Sequence, residues 1–177
     1  MVITAEQIAA CTGCSILRTA TWLVPLTNAM SEFTIDTPAR QAMFLAQCGH
    51  ESDGLVFVHE LWGPTPQQLT YQGRMGNINP GDGKKYMGRG PIETTGHDNY
   101  VKVMMALGID CVEHPELLED PTNGARASAY FWQSNGLNVF ADSGDIAGCT
   151  RRINGGLTGL ADRTARWNVA KKAMGVV

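Results

Sequence analysis

Two carboxylates nine residues apart, Glu51 in QCGHESDG and Glu60 in FVHELWG, are the first residues here whose types and spacing could do chemistry. Glu51 stands where the apolar run TPARQAMFLA gives out, so its carboxyl is predicted to be part-buried. Burial disfavours the charged form of a carboxyl and raises its pKa, which suits a general acid. The intervening SDGLVFV is long enough to reverse the chain and carry Glu60 to a facing wall. Two carboxyls across a cleft are what glycoside hydrolysis needs: one protonates the leaving oxygen and the other activates water. Either glutamate taken alone also reads as a surface or helix-end residue.

Two later segments hold polar groups that fit such a cleft. In KKYMGRGPIETTGHDNY (84–100), Gly88, Gly90 and Pro91 shape a tight loop around Arg89. Thr94 and Thr95 offer hydroxyls there, Glu93 a third carboxylate, and Tyr86 and Tyr100 aromatic rings. The alternative is a purely structural glycine-rich loop. The glycines precede no strand–helix unit, so a nucleotide site is excluded. In CTRRINGGLTGLADR (149–163), Asn154-Gly155-Gly156 marks a tight turn between helices. Asn154 either caps a helix or aims its amide at a substrate or a water. Arg163 has the charge to pair with a cleft carboxylate, whereas Arg151, Arg152 and Arg166 read as a solvated basic face.

Other chemistries find no support. There is no GxSxG elbow. His50-Glu51 is not followed by a second histidine, because position 54 is glycine, so a zinc-peptidase motif is absent. His50 reads as a hydrogen-bonding partner at a helix end. Cys11 and Cys14 have CxxC spacing but no second cysteine pair, and two small residues in a turn explain them better than a metal. No metal and no cofactor is expected.

The elements that must position these groups are helices. TAEQIAA opens on a capping box, Thr4 to Gln7. SILRTATW and VPLTNAMSEF read as two further helices, with Pro25 in the first turn of the second. DTPARQAMFLAQCGHE is the clearest, with Thr37 as N-cap and Pro38 at the first helical position. A long irregular stretch follows over about 54–97, holding at most a short helix in TPQQLTYQ, and a stretch of that length is often functional. Within it FVHEL and GPIETT are the candidates for brief pairing. Helices are then predicted in HDNYVKVMMALG, DPTNGARASAYFWQSNG, DIAGCTRRING and GLADRTARWNVAKKAMG. The predicted class is mainly α: a lysozyme-like two-lobed helical fold with a central cleft and little or no β-structure.

Bulk properties agree with a globular enzyme. The 177 residues suit a single catalytic domain over 1–177, with a small helical part at 1–34 and the catalytic core at 35–177. A net charge of −3 argues against a nucleic-acid partner. No apolar run approaches the roughly 20 residues of a membrane span. The N-terminus lacks a secretory pattern, so synthesis in a cytoplasm without a signal peptide is expected. Five scattered cysteines fit reduced thiols better than a disulfide framework.

The segments FLAQCGHES, YMGRGPIETTGHDNY and TRRINGGLTGLADR, in that order, resemble glycoside hydrolase family 19, the chitinase and phage-endolysin family. The likeness covers about residues 35–170 and is nearest to phage and prophage lysozyme-like endolysins. It implies inverting hydrolysis of β-1,4 links between N-acetylated amino sugars. It places the general acid on Glu51 and the base on Glu60. It further places Thr95 beside the attacking water, Asn154 on substrate and water, and Arg163 near the acid. The sequence departs from the family at Glu93, where glutamine is usual, at Thr94, usually aliphatic, and at Thr158, where plant-type members carry an acid. Tyr86 and Glu93 remain candidates for binding sugar. The resemblance implies a monomeric endolysin whose partner is the peptidoglycan glycan strand, reaching the wall from the host cytoplasm through holin-type release. A chitinase acting on chitin oligomers and a non-catalytic glycan-binding module are the alternatives.

Overall fold

The computed structural model describes residues 3–176, and these form ten α-helices joined by turns, loops and one 3-10 segment at Pro115–Glu119. The helices are α1 (Ala5–Thr12), α2 (Ile16–Glu32), α3 (Pro38–Glu51), α4 (Pro66–Leu69) and α5 (Asp82–Lys85). They continue with α6 (His97–Leu107), α7 (Pro121–Ser134), α8 (Asn138–Ser143), α9 (Ile146–Asn154) and α10 (Leu160–Met174). The fold is mainly α, as expected, with β-structure among the described residues limited to two isolated bridges. No described helix is long and apolar enough to cross a membrane.

α3 is the central element. Thr37 caps it by accepting from Arg40 N–H, and Pro38 occupies the position where a missing N–H costs nothing. Its residues Ala42 to Gly49 are all buried, because α1, α8 and α10 pack around it. α2 lies against α7, and α1 bridges α2, α3 and α10, so the N-terminal helices share one core with the later ones. Phe44 meets Trp132 of α7 edge-on at 5.4 Å inside that core. A second, smaller cluster of Tyr86, Tyr100, Val103, Ile109, Cys111, Leu118 and Ala127 supports the glycine-rich loop.

Three helices differ from expectation. SILRTATW and VPLTNAMSEF are one helix, α2, with Pro25 inside it rather than opening a new one. An interior proline costs about 3 kcal/mol. The buried stripe Thr19, Trp22, Leu26, Ala29 and Met30 keeps helical spacing straight past Pro25. Burial of its large side chains, at about 1.5–3 kcal/mol each, outweighs the break. α5, inside the stretch expected to be irregular, and α8 went unpredicted because four and six residues are too few to show a period. The five cysteines are free and buried, and Cys11 and Cys14 bracket the end of α1 as packing residues.

Candidate active site

Glu51 is the last residue of α3, and the chain must turn sharply after it. Ser52, fully buried, accepts from Leu55 N–H, and Asp53, Gly54 and Leu55 all take positive φ. Gly49 makes this end possible. A Cβ there would stand 2.2 Å from Thr12 O, so only glycine lets the end of α1 cross the last turn of α3. The crossing leaves the Glu51 side chain 22% exposed and brings Arg163 of α10 to it, with Nη2 2.6 Å from Oε1. Arg163 is itself 2% exposed, and its Nη1 donates to the buried Gln47 Oε1. Gln47 in turn donates to Cys149 Sγ. The expected pairing of Arg163 with a cleft carboxylate is therefore present, and its partner is Glu51. His50 turns the other way, with Nδ1 2.6 Å from Asp162 Oδ2, and serves as the helix-end partner the sequence implied.

Glu60 is positioned differently, by hydrogen bonds. Its Oε1 accepts from Gln68 Nε2 at 3.0 Å and from the Tyr71 hydroxyl at 3.1 Å, and its Oε2 accepts from Gly88 N–H at 3.1 Å. Three donors face this carboxylate, two from the α4 segment and one from the glycine-rich loop. Burial, then the neighbouring Glu60 carboxylate, push the Tyr71 phenol up to about 12, so Tyr71 stays a donor. Gln68 is buried and also accepts from Gly63 and Thr65 N–H, the latter as part of a capping box. Backbone bonds from Glu60 N–H to Gly88 O and from Gly90 N–H to Val58 O fasten the FVHEL segment to the glycine-rich loop. Side-chain amides replace regular structure through the rest of the loop. Gln72 bonds four backbone groups and Asn77 two more.

Glu93 comes from the same glycine-rich loop. A Cβ on Gly88 would lie 2.7 Å from Glu93 Oε2, so the bare glycine backbone is what the Glu93 carboxyl rests against. Gly88 is also the residue whose N–H reaches Glu60. Burial, then the charges of Glu60 and Glu51, push the Glu93 carboxyl up to about 7. Glu51 and Glu60 therefore both act on Glu93, and Glu60 and Glu93 meet at Gly88.

The remaining predicted residues divide. Thr95 is half-buried beside Glu93, with its hydroxyl 3.5 Å from Glu93 O and its own carbonyl accepting from Asn99 Nδ2 at 2.8 Å. Asn154 is exposed as the last residue of α9, and Gly155 ends that helix at φ 72°. Tyr86 is not on the cleft surface. It is 4% exposed, its hydroxyl donates to Val112 O, and its ring packs on Tyr100 and His97, so it supports the loop from beneath. Arg89 is also structural, bonding Lys85 O, the Tyr100 hydroxyl and Glu119. Sequence reasoning missed Gln47, Gln68 and Tyr71. For Gln68 a signal existed, the T-x-x-Q pattern from Thr65. A cavity of about 340 Å³ opens beside Glu93, lined also by Thr94, Asn99, Lys102, Tyr130 and Ser134.

Comparisons with known proteins identify the family. The family model for chitinase class I, glycoside hydrolase family 19, matches residues 13–150. A glycosyl hydrolase family 19 domain-containing protein of Haemophilus influenzae is 34% identical, over 70% of this chain and 74% of its own length. Acidic endochitinase SP2 of Beta vulgaris is 28% identical over 88% of this chain, which spans 54% of that protein. Among solved structures, a bacterial family 19 chitinase superposes with a TM-score of 0.80 at 23% identity, covering all of this chain and 97% of that one. Chitinase C from Streptomyces griseus gives a TM-score of 0.79 at 24% identity, over 99% of this chain and 78% of that one. Arg163, which holds Glu51, lies beyond the matched segment, yet α10 packs on α3 as part of the same fold. On the family match and the Haemophilus relative together, this chain belongs to glycoside hydrolase family 19, an enzyme family of chitinase-like glycoside hydrolases.

Proposed function

We propose that this protein hydrolyses β-1,4 links between N-acetylated amino sugars with inversion, Glu51 acting as the acid and Glu60 as the base. The observation that carries the reading is the unlike support of the two carboxyls. Glu51 has Oε1 fixed by Arg163, while Oε2 has no hydrogen-bond partner among the described residues, which leaves it to meet the leaving oxygen. Glu60 faces donors only, an arrangement that suits an ionised, acceptor-only carboxylate ready to take a proton from water. Thr95 and Asn154 are assigned to the water and the sugar. Positioning and acid–base transfer then supply the catalysis.

Chitin-type oligomers are the substrate that the relatives' names support, several being chitinases or endochitinases. Peptidoglycan, cut in an endolysin role after holin-type release from a host cytoplasm, is the second reading. One observation favours it: Lys102 lines the cavity beside Glu93, and a cation there complements the carboxylates of the peptide stems that peptidoglycan carries and chitin lacks. Mass analysis of digests of both glycans tests the choice. New reducing ends on N-acetylglucosamine oligomers alone establish the chitinase reading. New reducing ends in peptidoglycan establish the second, and amide cleavage in place of either contradicts both.

A further inference from the structure

Three carboxyls meet in this site, but their surroundings are unequal. Glu51 has the Arg163 guanidinium at 2.6 Å, and Glu60 has three hydrogen-bond donors. Glu93 has no donor from the protein among the described residues, and its carboxyl lies against Gly88, whose N–H is already given to Glu60. Two carboxyls thus face a third, part-buried one that no protein donor holds. Like charges crowded into a part-buried site cannot all ionise, and the member without a partner keeps its proton.

We propose that Glu93 is a neutral carboxylic acid at the edge of the cleft, that it donates its O–H to an acetamido carbonyl of the bound glycan, and that its ionisation closes the site at alkaline pH. The inference rests on the glycosidase reading above and assigns a role in that site. The carboxyl's elevation to about 7 agrees with it. The charged and titratable groups that act on Glu93 are Glu51 at the end of α3 and Glu60 on the long loop, with Tyr71 beside them, while Lys102 and Asn99 of α6 line the cavity that Glu93 borders. Arg163 of α10 stands behind Glu51. The ammonium of Lys102 leans on Asn99 Oδ1 at 3.3 Å and makes no ion pair with Glu93. Once ionised, Glu93 loses its donor and adds an anion beside the base. An acetamido carbonyl oxygen, which can only accept, then meets repulsion where it met a hydrogen bond.

Glu93→Gln separates this role from a structural one, because an amide donates without titrating. The readout is the ratio of kcat/KM, variant to wild type, from pH 5 to pH 9 on whichever glycan is cleaved. The expected ratio rises about tenfold for each pH unit above the neutral midpoint, as the wild type loses its proton and the variant has none to lose. Parallel profiles overturn the proposal, and so does a variant dead at every pH, which would make Glu93 the proton donor itself. A carbon-13 titration of the glutamate carboxyls in the free protein gives a readout independent of activity. One resonance is expected to titrate near neutrality and to vanish in Glu93→Gln. Its absence overturns the proposal even if the glycosidase reading stands, whereas its presence in a protein that cleaves neither glycan refutes that reading alone.

Discussion

Replacing the proposed acid, Glu51→Gln, should destabilise this protein, although removal of active-site charges often has the opposite effect. The reason is Arg163. Its side chain is 2% exposed; among the described residues its Nε has no partner and Glu51 is the only carboxylate it touches, whereas Glu51 itself is 22% exposed. Deleting one member of a buried ion pair costs about 3–5 kcal/mol when the other is left buried and unpaired. Glutamine keeps an oxygen within reach of Nη2, and solvent already screens part of the pair, so about 2 kcal/mol is expected. For a chain of this size that corresponds to a fall in Tm of roughly 4–8 °C. Urea unfolding at pH 7 measures it, with equal m-values showing that the unfolded state is unchanged. A double-mutant cycle isolates the cause. In an Arg163→Met background, the same Glu51→Gln change should cost almost nothing, giving a coupling of about 2 kcal/mol. A Glu51→Gln variant as stable as the wild type, or more stable, would refute the reasoning, whatever its activity.

Other consequences follow from the same contacts. Glu60→Gln should lower kcat by about 10²- to 10⁴-fold with little change in stability, and near-normal turnover would move the base elsewhere. Tyr71→Phe removes one donor to Glu60 and should lower kcat roughly tenfold, a loss checked by steady-state kinetics and contradicted by an unchanged kcat. Gly49→Ala should cost about 1–3 kcal/mol or more, because the new methyl meets the backbone of Thr12, and denaturant unfolding that shows no loss would contradict the helix crossing. The raised Glu93 carboxyl makes stability depend on pH. The folded protein holds that proton up to about 7, and the unfolded chain releases it near the ordinary 4.5. The native state therefore binds more protons in that window, and its stability falls as pH rises through it. Glu93→Gln should gain stability over wild type across the same window, and parallel curves would deny the shift.

Local signals were legible where the chain fixes its own geometry. Thr4 with Gln7 and Thr37 with Pro38 start α1 and α3 as their capping chemistry requires. Glu51 was placed at the end of an apolar helix because burial of that helix shows in its spacing. The long loop was visible as a lack of period, but its frame was not. Gln68, Gln72 and Asn77 replace secondary structure with amide bonds that no periodicity records. Pro25 misled because its local cost is overridden by a buried stripe that only tertiary packing provides. Tyr86 misled because an aromatic beside a glycine-rich loop has the same sequence signature whether it lines the cleft or, as here, supports it from the core. The pairing of Arg163 with Glu51 was legible only as a possibility, since it depends on how α10 docks against α3.

The central claim is that two separately supported carboxyls add water across a β-1,4 link with inversion, and product stereochemistry tests it most directly. Proton NMR can follow the anomeric signals of the new reducing ends within the first minutes of digestion, before mutarotation mixes them. The account predicts that the α-anomer appears first and that both Glu51→Gln and Glu60→Gln suppress it. A β-anomer appearing first would contradict it, placing a nucleophile where Glu60 is assigned to activate water.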